Sequence, residues 1–207
     1  MSRVALALLL VLALTTAGWA EKFELSGREG HDRTRFPLGV WTEPFDDIFE
    51  RAAGRAVDDW NALTLAVLEV RAFQRVEARE RADVTIVVGP RTTLRQSQAM
   101  ARAYGGRDRQ VVLPVQIVAF GPPVAVPDRG IERETLVYGA VAHELGHALG
   151  LPHVDDPRSL MCCRAWRGSE HRATLAAFWE TMKSPDVRSV RDQLAAHYAL
   201  FWAMDVP

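Results

Sequence analysis

Across residues 45–63 the apolar positions fall at Phe45, Ile48, Phe49, Ala52, Ala56, Val57, Trp60 and Leu63. Steps of three and four place them on one face of a helix roughly five turns long. Asp46, Asp47 and Glu50 stand near its start, where carboxylates meet the positive end of the helix dipole. The same period returns over residues 132–150, with Leu136, Val137, Ala140, Val141, Leu145, Ala148 and Leu149 on the buried side. Pro152 forbids continuation of that helix and biases Leu151 towards extended backbone. Between the two helices the pattern shortens. Residues 38–42 predict a short first strand, and residues 65–73, rich in Leu and Val, a second. The β-branched run 84–88 predicts another strand, closed by Gly89-Pro90. Residues 98–104 stand open between helix and edge strand. Residues 111–120 read as strand, with Pro114 demoting part of it to an edge or a bulge. Residues 121–130, with three prolines, are a loop, and helices follow over 170–182 and 186–204, divided at Ser184-Pro185. Strand, helix, several strands, long helix, loop and helices make an α+β order.

The first twenty residues stand apart. Arg3 precedes an apolar run from Val4 to Leu14, and the small and polar stretch ending Gly18-Trp19-Ala20 suits cleavage after Ala20. Residues 1–20 therefore read as an export signal, residues 21–35 as a polar N-terminal tail and residues 36–207 as one domain. The expected location is outside the cytoplasm, periplasmic or secreted. No stable membrane association is expected after cleavage, because no other stretch is apolar enough to span a bilayer. At 207 residues, 48% apolar and 25% charged, the chain has room for one proper core. Its net charge of -1 carries no footprint for nucleic acid. Oligomeric state is not legible. The two cysteines, Cys162 and Cys163, are adjacent and cannot staple a loop. They read as two small buried thiols, with a vicinal disulfide or an intermolecular link as the alternatives.

Chemistry concentrates in residues 143–153, His-Glu-Leu-Gly-His-Ala-Leu-Gly-Leu-Pro-His. On a helix, His143 and His147 project from one face a turn apart, the spacing at which two imidazoles reach one zinc ion. Glu144, about 100° further round the helix, is placed to act on a metal-bound water without being a ligand. Gly150 is suited to the left-handed conformation that ends a helix and turns the chain back, so that His153 supplies the third nitrogen. Three histidines and a glutamate on an otherwise apolar helix need polar partners. A three-protein-ligand site with one position left for water is catalytic in type. Asp155-Asp156 reads as a solvated turn, with calcium possible but unsupported. His31, His171 and His197 lack metal-type spacing.

This motif, followed by Ser159-Leu160-Met161, resembles that of the metzincin metallopeptidases, and the eight-residue step from His153 to Met161 looks most like the matrixins. The resemblance implies a twisted mixed sheet packed on two long helices, with an active-site helix and a methionine turn under the histidines carried here by Met161. It also implies a peptide or protein substrate lying extended along an edge strand, for which residues 98–104 are the candidate, with residues 162–166 beside the substrate pocket. The implied activity is that of a zinc-dependent endopeptidase. A zinc amidase acting on cell-wall or other non-standard peptides, and a non-catalytic exported zinc-binding module, are the alternatives. The chain departs from the pattern in three places, one of them its helical C-terminal region past Gly168, which is longer than the usual matrixin ending and has no role to inherit. Residues 21–35 hold no cysteine for the latency device common in matrixins, leaving a solvated tail, or Asp32 or His31 over the metal, as the readings of that segment. Cys163 stands where astacins and serralysins place an auxiliary tyrosine ligand.

Overall fold

The computed structural model of the chain describes residues 23–89, 99–120, 130–162 and 171–203. The export-signal reading of residues 1–20, the proline-containing loop at 121–129 and residues 163–166 beside the expected pocket lie outside them.

The first predicted strand is β2 (Leu38–Thr42), preceded by a two-residue strand β1 (Phe23–Glu24). The first amphipathic stretch forms α1 (Asp47–Leu68), capped by Asp46, whose carboxylate accepts from the Phe49 N–H at 2.9 Å. This helix runs beyond the sequence expectation and takes the first four residues of the strand expected over 65–73. Leu and Val content suggested extended backbone, but the three-to-four period continues through buried Leu63, Thr64 and Leu68, while Leu65 points outward, 60% exposed. The helix stops at Glu69, whose φ of 59° is left-handed. Only Phe73–Arg75 remains as β3.

Next come β4 (Val84–Gly89), β5 (Ala99–Arg102), β6 (Tyr104–Gly105) and β7 (Val115–Phe120). Residues 98–104, open in the sequence between helix and edge strand, are strand where described except at Ala103, which separates β5 from β6. A five-stranded mixed sheet has the order β3-β2-β4-β7-β5. β3, β2, β4 and β7 are parallel to their neighbours, and β5 lies antiparallel to β7 with Ala101 opposite Ile117. The helices α2 (Arg133–Ala148), α3 (His171–Thr181) and α4 (Arg191–Ala203) complete an α+β architecture.

The core fills the space between this sheet and the paired helices α1 and α2. Val84, Ile86, Val115 and Ile117 come from the sheet, Phe49, Val57 and Trp60 from α1, and Val141, Leu145 and Ala148 from α2. Arg133 at the start of α2 donates to Asp46 at the start of α1 (2.6 Å). Deeper in, the Trp60 indole N–H donates to the Ala142 carbonyl at 2.8 Å. These two contacts fix how far α2 is advanced along α1, and with it the height of the residues that follow Ala142.

The segment read as a solvated tail is built into the domain. His31 is 1% exposed and Glu29 6%. The reason is the far end of the chain: α4 offers His197, Phe201 and Trp202 as a surface for this segment. The His197 ring donates to the Glu29 carbonyl, the Trp202 indole donates to the His31 carbonyl, and Gly30 lies against the Phe201 ring. Sequence near residue 30 alone contains none of those partners.

Candidate metal centre

Helix α2 carries His143, Glu144 and His147 in its last three turns. The chain then leaves the helix at Leu149, and Gly150 takes a φ of 85°. Only glycine adopts that conformation without penalty, and here it is also sterically required, because a Cβ at position 150 would overlap the Glu29 carbonyl. The turn sends Leu151 and Pro152 back alongside the helix and delivers His153 to the other two histidines.

The three imidazoles converge. His153 Nε2 lies 3.1 Å from His143 Nε2 and 3.2 Å from His147 Nε2. Tetrahedral ligands at 2.0–2.1 Å from zinc stand about 3.3 Å apart, so the three nitrogens already describe one face of such a site. Their tautomers agree with it. His143 Nδ1 is 2.7 Å from the Leu160 carbonyl and His147 Nδ1 is 2.8 Å from the Leu151 carbonyl. A carbonyl only accepts, so each Nδ1 carries the proton and each Nε2 turns a lone pair towards the common point. Burial pushes His143 and His147 down to about 4, which keeps both rings neutral near pH 7. Among the described residues, these three form the one group of His, Cys, Asp or Glu side chains close enough together to hold a metal ion. Donor type, spacing and tautomer all fit zinc.

Glu144 sits beside them, 8% exposed, with its carboxylate accepting from the backbone N–H of Ala101 at 2.6 Å. Burial pushes its carboxyl above the usual range, with His147 and the Ala101 N–H working against that. Ala101 belongs to β5, the last strand of the sheet, so the N–H that holds Glu144 comes from the sheet's open edge. Nothing in the sequence marks an alanine backbone for this task. The signal was the strand's place in the topology.

Below the histidines lies Met161, fully buried, with its sulfur where a Cβ on Gly146 would be. The glycine between His143 and His147 is thus the cradle for the methionine. The Val154 N–H donates to the Met161 carbonyl at 3.0 Å, which ties the segment after His153 to the turn that holds Met161. Cys162 follows, buried and disulfide-bonded, so the reading of two small thiols is corrected. A sulfur engaged in a disulfide offers no thiolate to a metal. Cys163 lies outside the described residues.

Several supporting groups had no sequence signal. The carbonyls at the end of α2 need partners, and two come from distant parts of the chain. His31 donates to the Ala148 carbonyl (2.8 Å) and the Tyr198 hydroxyl to the Leu149 carbonyl (2.9 Å). Gln193 donates to the Pro152 carbonyl at 2.8 Å. Neither His31 nor Asp32 covers the histidine cluster: His31 is spent on α2, and Asp32 accepts from Gln110 at 3.1 Å. Asp156 accepts from the Arg158 backbone and guanidinium within its own turn.

A cleft of about 470 Å³ opens on the site, walled by Ala101 and Ala103 on one side, His147, Pro152 and His153 on another, and Leu25 and Ser26 on a third. Compared with known proteins, the chain matches the matrixin family of peptidases over residues 127–177, 51 of its 207 residues, which takes in all three histidines and Glu144. No curated protein matches the chain.

Proposed function

We propose that the chain is an exported, matrixin-like zinc-dependent endopeptidase, with His143, His147 and His153 holding the metal and Glu144 as general base. The observation that carries the reading is the convergence of three Nε2 atoms beside a buried carboxylate. The matrixin match over the same residues supplies the reaction class and points to peptide or protein substrates. Met161 beneath the histidines supports a metzincin-type methionine turn.

Zinc bound there supplies Lewis-acid polarisation of the scissile carbonyl and acidifies the attacking water. The chain's own groups do the rest. Glu144 takes a proton from that water at its carboxylate and passes it to the leaving amine nitrogen. Two features suit it to the exchange: burial raises its proton affinity, and the Ala101 N–H on Oε2 fixes its rotamer. The Leu160 and Leu151 carbonyls hold the His143 and His147 rings in the ligating tautomer. The outer edge of β5, which carries no paired strand among the described residues and holds Glu144 through the Ala101 N–H, is where an extended peptide would pair, aligning the scissile bond under Glu144. Export rests on the pattern of residues 1–20.

The test is Glu144→Ala. The variant should bind zinc with a stoichiometry equal to wild type and lose peptide hydrolysis by roughly 10³-fold or more. Zinc-loaded Glu144→Ala that still cleaves peptides rules Glu144 out as the base.

A further inference from the structure

The cleft has an asymmetry that the site chemistry does not require. Among the described residues no strand pairs with the outer edge of β5 at Ala101, where the N–H is held by Glu144, but the same edge is occupied a few residues further on. There β1 pairs antiparallel with β6, with Glu24 opposite Tyr104 and Phe23 opposite Gly105. The inner side of that stretch is already taken, since Val112 donates to the Tyr104 carbonyl and Gly106 to the Gln110 carbonyl. β1 therefore lies on the outer side, in the row where a peptide added to β5 would lie. Continuing its register by one step sets Leu25 opposite Ala103. Leu25 and Ala103 do wall the same cleft as His147 and His153.

At Ser26 the segment bends out of the row, and the bend is built rather than loose. The Glu29 carboxylate accepts from the Ser26 hydroxyl at 2.7 Å and from the backbone N–H groups of Ser26, Gly27 and Arg28 at 2.8, 3.0 and 3.1 Å. Gly27, with a φ of 87°, lies against Pro152, where a Cβ would come within 2.9 Å of the ring. Behind it the Glu29 carbonyl abuts Gly150 and accepts from His197. The segment is thus clamped to the loop that carries His153.

We infer that residues 23–26 stand in for the substrate on the N-terminal side of the scissile bond, so that the enzyme accepts peptides with only about two residues ahead of the bond it cuts. The inference rests on the peptidase reading above and narrows it to bonds near a substrate's amino end. From Ala101, beside Glu144, to Ala103, opposite Leu25, is two residues, about 7 Å of extended chain. A substrate running in the direction β1 runs meets Leu25 end-on after that distance. On the other side of Glu144, towards Ala99, the described residues place no such strand in the row.

The experiment is a peptide series of one sequence, extended at its amino end by zero to six residues, incubated with the zinc-loaded full chain and read by mass spectrometry. Cuts are expected after the first or second residue. Extension by three or more residues should lower kcat/KM at the original bond by about tenfold or more. Glu24→Pro combined with Leu25→Gly, which unpairs β1, should restore cutting at that bond. If this variant fails to fold, the wild-type register alone decides. Wild-type cuts with four or more residues ahead, at undiminished kcat/KM, overturn the inference and leave the peptidase reading standing, as do cuts confined to the carboxyl end. Zinc-loaded wild type and folded variant that cut no peptide at all overturn the peptidase reading, and the inference with it.

Discussion

Two glycines set the geometry of the histidine cluster, and each does so through space that a methyl group would fill. At Gly146 the space belongs to the Met161 sulfur, and at Gly150 to the Glu29 carbonyl. Gly150→Ala should destabilise the protein by more than about 1 kcal/mol, since it adds a left-handed residue to a steric conflict. It should also weaken zinc binding, because His153 hangs from that turn; urea denaturation and a zinc titration read the two effects separately. Buried histidines make a different kind of prediction. Burial holds His31 and His197 below their ordinary value of 6.5, against the pull of the carbonyls to which they donate. Below pH 6.5 the unfolded chain therefore binds protons that the folded chain refuses. Stability should be full above that pH and fall as pH drops towards the folded values, each group contributing up to about 1.4 kcal/mol per pH unit. Chemical denaturation between pH 7.5 and 5 on metal-free protein checks it, and His31→Gln should flatten the slope. At this scale the motif residues were legible because helix geometry and ligand chemistry constrain them locally. His31 and Ala101 were not, because each works through a partner more than 40 residues away.

At the level of elements, strong periodicity was readable and weak periodicity was not. β2 and the body of α1 and α2 follow directly from spacing. The end of α1 was misread because Leu65, Val67 and Leu68 look strand-like in composition, while the buried positions around them keep the helical step. α4 had no assignable role in the sequence, and the structure gives it one: it closes the carbonyl end of α2, the helix that carries His143 and His147. Tyr198 is fully buried with its hydroxyl on the Leu149 carbonyl, and Gln193 holds Pro152. Tyr198→Phe should cost about 1–2 kcal/mol in unfolding free energy, since it strands a buried carbonyl without creating a cavity. A comparable loss in the apparent zinc affinity would show that the helix end and the site are coupled. Zinc affinity unchanged alongside reduced stability would show that they are not.

For the molecule as a whole, the His143 and His147 rings are already oriented by protein carbonyls, and the core nearby is closed by Trp60, Leu145 and Met161. The metal is therefore expected to be needed for chemistry and not for folding. A chelator should abolish hydrolysis while leaving the circular dichroism spectrum and a cooperative melt in place, with the melting temperature lower. The stabilisation lost should follow mass action, about 2.7 kcal/mol when free zinc had been at a hundred times its dissociation constant. Collapse of the fold on chelation would instead mark zinc as structural.

The contact between the His197 ring and the Glu29 carbonyl joins groups 168 positions apart in the chain. Because long-range closure costs more chain entropy than local turns and helices, a contact of that span is expected late in folding. α2 can wind, and bring His143 and His147 into line, while the backbone behind Gly150 still lacks its buttress. His153 is expected to settle when the last helix docks. The proposed cation-binding triad would then be something the polypeptide finishes with, not a nucleus around which it gathers, and a nascent molecule is expected to stay hydrolytically silent until almost all of it is in place.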